Sequence, residues 1–310
     1  MRLRHLALAL SALLALAPAA QGQEPARWPP QDAARVYVFG NSLIHHLTDS
    51  DLTTVPHWLA VMARHAGKKF AADGRWGFPR NFAAELPPDA NWRFREVPRS
   101  WEPGPRSFRA AGFDTIILNP ENYIQYDPAD RPYPGDNPDR ATPLGATLAV
   151  LDWVAANADA PRVLIYEGWA DLHPFAPSFP PSARGMARYH RHATGDYHRW
   201  YVDYVAKLKA GRPDRDIALL PTGSVMSEIM TGPLMADIPA EALYSDLSPH
   251  GTATTYLLAA MITYAALYGS PPPAGLPLPA DIDARFSERY DRIAAEVGVR
   301  MGVAAPASGG

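Results

Sequence analysis

Four short apolar runs constrain the fold of this chain more than any other feature. They are residues 36–39 (VYVF), 113–118 (FDTIIL), 162–166 (RVLIY) and 216–220 (DIALL), and each stops at a Gly, Pro, Asn or Glu-Gly break. Runs this rich in β-branched and aromatic side chains predict strands buried on both faces of the pleat. Between them, apolar residues recur at helical spacing: Val55, Trp58, Leu59 and Met62 before Gly67, then Leu144, Leu148, Leu151 and Val154, then Tyr197, Tyr201, Tyr204, Val205 and Leu208 before Gly211. Alternating strands and helices predict a mostly parallel central sheet covered on both sides, a three-layer α/β/α architecture.

After the fourth strand, residues 253–267 read as a strongly apolar helix, and Ile282, Phe286, Ile293 and Val297 stripe a last amphipathic one. Residues 70–82 (FAADGRWGFPRNF) carry Gly74, Gly77 and Pro79 and read as a loop. Residues 170–195 are rich in Pro, His and Arg and read as a surface insertion near the strand ends. The tail from Ala304 is made of small residues and is expected to fray.

Residues 1–23 combine two arginines, an apolar stretch from Leu6 to Leu16 and small residues at Ala17, Ala19, Ala20 and Gly22. That pattern predicts a secretory signal peptide, too short for a stable anchor, followed by a single domain over 24–310. The expected location is secreted or periplasmic, with no membrane span. The chain has no cysteine, which excludes a thiol nucleophile and any cysteine metal site, and leaves stability to the core. A formal net charge of −3 with scattered arginines argues against nucleic acid as a partner. Nothing in the sequence sets an oligomeric state.

Two segments carry chemistry. In residues 35–47 (RVYVFGNSLIHHL), the break at Gly40-Asn41 puts Ser42 where a strand hands over to a helix, beside amides that can stabilise an oxyanion. In residues 244–252 (YSDLSPHGT), a carboxylate and an imidazole precede the apolar helix. At the carboxyl edge of one sheet, His250 could take the Ser42 proton while Asp246 holds its ring in the useful tautomer. Nucleophile and base would then stand on the first and last edge loops of a doubly wound pattern, where ligands of such sheets bind.

These residues carry a resemblance. Phe39-Gly40-Asn41-Ser42-Leu43 resembles the first block of the SGNH (GDSL-like) hydrolases, and Asp246 to His250 resembles their terminal Asp-His block before a helix. The resemblance implies a flavodoxin-like α/β/α fold and a serine hydrolase that attacks an ester carbonyl through Ser42, with His250 as base. It also implies an oxyanion held by the serine amide, a glycine amide from a second block and an asparagine from a third. Gly77 in RWGFPRN matches the second block, with Gly74 as rival, and Asn122 matches the third, with Asn119 as rival. In two places the sequence departs from the pattern. The third block usually reads Gly-x-Asn-Asp, and here it reads Asn-Pro-Glu-Asn-Tyr. Three residues rather than two separate Asp246 from His250.

Other candidates are weaker. Trp169, after the third strand, is a candidate apolar or sugar-stacking wall, although an aromatic there also serves as core. One of His45 and His46 could face the cleft. Asp171, His173, His190 and His192 could shape a lid, with His190 and His192 read as loop residues. His45, His46, Asp49 and Asp51 lie close together but show no metal-ligand spacing, so no metal is expected. No cofactor is implied, since a base and oxyanion donors suffice for acyl transfer. The expected substrate is a small-molecule or glycan ester, with a short acyl group such as acetate on a carbohydrate. Two alternatives stand: a polysaccharide O-acetyltransferase using the same Ser-His site, and a non-catalytic exported binding protein.

Overall fold

A computed structural model describes residues 28–303, except 47, 49, 93, 95 and 121–127. The signal-peptide residues, Asp49, Asn122 and the tail from Ala304 lie outside the described residues. Five strands, β1 (Ala33–Gly40), β2 (Lys69–Trp76), β3 (Thr115–Leu118), β4 (Arg162–Tyr166) and β5 (Ile217–Leu220), form one sheet in the order β2-β1-β3-β4-β5. Every pairing is parallel. The order reverses between β1 and β3, and it is outside the carboxyl ends of the strands at such a switch point that ligands of open parallel sheets bind.

The helices form the outer layers. On one face, α1 (Val55–His65), α7 (Thr222–Thr231), the short α8 (Ala240–Leu243) and α11 (Tyr290–Arg300) pack on α9 (Ala253–Tyr268), and α1 and α9 reach the sheet. On the other lie α2 (Pro79–Ala84), α3 (Phe108–Ala111), α4 (Pro143–Asn157) and α6 (His198–Gly211). Local chemistry sets several ends. Thr54 caps α1 by accepting from His57 N–H, and Thr142 caps α4 by accepting from Gly145 N–H, with a proline in the first turn of each. Gly269, at φ +58°, closes α9 in the left-handed region.

Every residue of α9 is buried, and Arg162 Nη1 and Nη2 reach over to its last carbonyls, those of Ala266 and Leu267. A helix apolar all round belongs inside a fold or a bilayer. At 16 residues α9 is interior, and no helix among the described residues is long and apolar enough to cross a membrane.

Three expectations are corrected. Residues 70–82 are not a loop: their first half is β2, an edge strand hidden in the sequence by Asp73 and Gly74. Buried Asp73 accepts from the Ser100 and Trp101 N–H groups at 2.6 and 2.7 Å, so its charge pins the following chain against the sheet. Residues 170–195 contain a helix, α5 (Ala183–His192), capped by Ser182 and continued by a π-helical turn, Ala193–Tyr197, into α6. His190 and His192 therefore stand on a helix. The stripe from Ile282 to Val297 is two helices, α10 (Ala284–Glu288), capped by Asp283, and α11.

Candidate active site

Ser42 follows β1 in a tight turn rather than at the start of a helix, and α1 begins only at Val55. Ile44 and His45 both donate backbone N–H bonds to the Asn41 carbonyl, and the Asn41 side chain accepts from Leu43 N–H at 3.0 Å. Asn41 thus closes a single turn that holds half-buried Ser42 at the sheet edge. No hydrogen-bond partner occupies the Ser42 N–H among the described residues.

At the other end of the chain, Asp246 Oδ2 stands 2.6 Å from His250 Nδ1. Its Oδ1 accepts from the backbone N–H of Ser248 at 2.8 Å and of His250 at 3.0 Å. These bonds explain the extra residue between the pair: an Asx-type turn folds Leu247-Ser-Pro into a loop that returns the imidazole to its carboxylate. Burial pushes the Asp246 pKa up, but the ring and the two N–H groups outweigh it and hold the carboxyl below its ordinary value.

Turn and loop meet. Tyr256, in the first turns of α9, donates its hydroxyl to the Ser42 carbonyl at 2.5 Å. The His46 ring stacks on the His250 ring with centroids 4.0 Å apart and an angle of 5° between planes. The two segments singled out in the sequence therefore pack on each other at the carboxyl edge.

The glycine and asparagine candidates fare differently. Gly77 N–H donates to the Gly40 carbonyl at 2.9 Å and extends the β1–β2 ladder past its last strand pair, so it is not free to face an oxyanion. Gly74 is interior to β2, where a Cβ would meet the Val38 carbonyl oxygen at 2.7 Å; it serves close strand approach. Asn119 is wholly buried, donating Nδ2 to the Tyr166 carbonyl at 3.3 Å. Its carboxamide ties β3 to β4 beneath Leu43 and Gly168 and presents no face to solvent.

Trp169 is also corrected. It is 1% exposed, its indole N–H donates to the Pro249 carbonyl at 2.7 Å, and its ring meets Tyr256 edge-on. It is a prop beneath the His250 loop and offers no surface for a sugar. The exposed tryptophan is Trp76, at 42%, which ends β2 opposite Gly40 and contacts Phe78 edge-on. Its position was legible only once residues 70–76 were known to be a strand.

Of the paired histidines, His45 stacks on Trp92, and burial, opposed by Asp51, lowers its pKa to about 4. His46 is the one that reaches the site. Asp171 and His173 approach from the segment after β4: His173 Nε2 lies 3.5 Å from Ser248 Oγ, and Leu172 N–H donates to the Leu247 carbonyl. Burial raises the Asp171 pKa, with His173 and His250 opposing. Among the described residues no group of three or more His, Asp or Glu is arranged to hold a metal ion.

No family model matches the chain, and no curated protein matches it in sequence. Comparison with solved structures finds several similar chains, all at low identity. A candidate SGNH hydrolase from Slackia heliotrinireducens is 15% identical over 76% of this chain and 99% of that one, with a TM-score of 0.40. Est24, a carbohydrate acetylesterase from Sinorhizobium meliloti, is 13% identical over 74% and 96%, with a TM-score of 0.34. A carbohydrate esterase family 2 enzyme of Corynascus thermopiles (Myceliophthora fergusii) is 15% identical over 82% and 68%, with a TM-score of 0.37. At such distances, what this chain does has to be read from its own residues.

Proposed function

We propose that the chain is an exported serine esterase of SGNH type that removes a short acyl group, acetate foremost, from a carbohydrate. The observation that carries this reading is the Asp246–His250 pair packed against the strand-end turn that holds Ser42. His250 takes the hydroxyl proton as Ser42 Oγ bonds to the ester carbonyl carbon. Asp246 holds the Nδ1–H and stabilises the imidazolium that forms. The oxyanion is assigned to the Ser42 N–H, with Asn122 as the carboxamide donor implied by the family resemblance. Collapse of the tetrahedral intermediate expels the sugar alkoxide, which takes the proton from His250 and leaves an acyl-Ser42. Water then attacks the acyl carbon, His250 takes its proton, and acetate leaves as the proton returns to Ser42.

Two features support the finer parts. Residues 1–23 support export. Trp76, an exposed indole paired in register with Gly40, itself two residues before Ser42, supports a sugar ring as the alcohol half, since pyranose faces present C–H groups to aromatic surfaces. The test is acetate release from acetylated xylan and from p-nitrophenyl acetate by the wild type and Ser42→Ala. The reading expects release in the wild type and loss of at least about 10³-fold in the variant. A folded Ser42→Ala enzyme with full activity overturns it.

A further inference from the structure

One contact at the site is not explained by nucleophile, base and acid. An Asp–His hydrogen bond grips an imidazole at one corner only, so the ring can still swing out of its plane about the Nδ1–oxygen axis. His46 covers one face of His250, nearly parallel at 4.0 Å between centroids. Its own backbone is fixed: His46 N–H donates to the Thr53 carbonyl, and the neighbouring His45 bridges to Thr54, so the strand-like pair 45–46 and 53–54 is tied to the start of α1.

We propose that His46 is a positioning residue for the general base, a stacked plate that fixes the plane of the His250 ring and keeps its Nε2 aimed at Ser42. The inference depends on the Ser42–His250 reading above. Carboxylate and plate act at right angles. Asp246 holds the ring in its plane, and His46 holds the plane itself.

Stacking also couples the charges of the two rings. Burial first, and then the charge of His250, lower the His46 pKa, with Asp246 opposing. His46 therefore stays neutral while His250 takes its catalytic proton, and the stack does not become a repelling dication. The other charged or titratable groups around His250 are Asp246 on its own loop, Asp171 and His173 from the segment after β4, and Tyr256 from α9. Tyr256 is held neutral, its pKa raised by burial. Asp171 and His173 remain unchanged in every variant below, so differences among the variants report on His46.

The experiment is a comparison of His46→Ala and His46→Phe with wild type on p-nitrophenyl acetate, reading kcat and KM separately, together with the rate of Ser42 labelling by a fluorophosphonate. Phe keeps a flat ring and removes the second titrating group; Ala removes the plate. The expected result is roughly ten-fold loss of kcat in His46→Ala with KM within about two-fold, and a matching fall in labelling rate, as expected when a base is misaimed. In His46→Phe, kcat stays within about three-fold of wild type, because a flat ring still covers the face of His250. Unchanged kcat in His46→Ala, or a loss in His46→Phe as large as in His46→Ala, overturns the inference while Ser42 still labels. Absence of labelling at Ser42 in the wild type overturns the esterase reading itself, and the inference with it.

Discussion

The Trp169 indole N–H donates to the Pro249 carbonyl at 2.7 Å, tying the end of β4 to the residue that precedes His250. Both groups are buried with the ring. A strand-end tryptophan that looks like a substrate wall is therefore part of the frame that holds the base.

From this bond, Trp169→Phe is expected to keep the aromatic volume and strand the carbonyl. The cost expected is about 1–3 kcal/mol of stability. Urea unfolding checks it, together with activity on two esters. The loss of activity falls equally on p-nitrophenyl acetate and acetylated xylan, since no sugar touches this ring.

Trp76→Ala is expected to behave in the opposite way. The indole is exposed, so unfolding shifts little. KM for acetylated xylo-oligosaccharides rises about five-fold, the equivalent of about 1 kcal/mol of lost stacking, while p-nitrophenyl acetate is turned over within two-fold of wild type. Equal KM for both enzymes on the oligosaccharide refutes the sugar platform.

Asp246→Asn tests the third member of the triad without removing the loop. The asparagine oxygen can still accept from Ser248 and His250 N–H, so the fold is expected to persist. Without a carboxylate the imidazolium is unsupported and the ring tautomer is wrong, and kcat is expected to fall by about 10²–10⁴. Steady-state kinetics beside a circular dichroism spectrum decide the matter.

Stability against pH should show two opposing slopes. Wholly buried Glu167 accepts from Ser224 N–H at 2.7 Å and holds His198 Nδ1 at 2.7 Å. The Glu167 hydrogen bond raises the His198 pKa above its ordinary value, with burial opposing. That contribution is complete below about pH 6.5, the unfolded value, and fades as pH rises through the raised folded value. His45 and His190 run the other way: burial lowers both to about 4, so the unfolded chain binds protons the fold excludes, and stability falls as pH drops from about 6.5 towards 4. Urea midpoints from pH 4 to 9 should peak near neutrality. His198→Gln should flatten the alkaline side and leave the acid side in place.

Much of this architecture was legible in the sequence, and the failures have physical causes. β1, β3, β4 and β5 announce themselves because a strand covered on both faces has nothing polar to interrupt it. β2 does not, because Asp73 and Gly74 interrupt its apolar run, and buried Asp73 is satisfied by backbone N–H groups that no sequence pattern reveals. α5 was hidden by a composition of Arg and His in which only Gly185 and Tyr189 are buried. At the site, the residues of opposite chain ends were legible because chemistry demands their types. The oxyanion glycine was not, since whether an N–H is free or spent on the sheet, as in Gly77, depends on where a ladder stops. The choice between His45 and His46 needed the packing of Trp92 and His250 on their respective sides.

The central claim is that Ser42 is the nucleophile and His250 its base. Intact-mass and peptide-mass measurement after fluorophosphonate treatment tests it most directly. A single adduct on Ser42 in the wild type, none in Ser42→Ala, and labelling slowed by at least about 10²-fold in His250→Ala are predicted. An unlabelled wild type, or an adduct on any other residue, would contradict it.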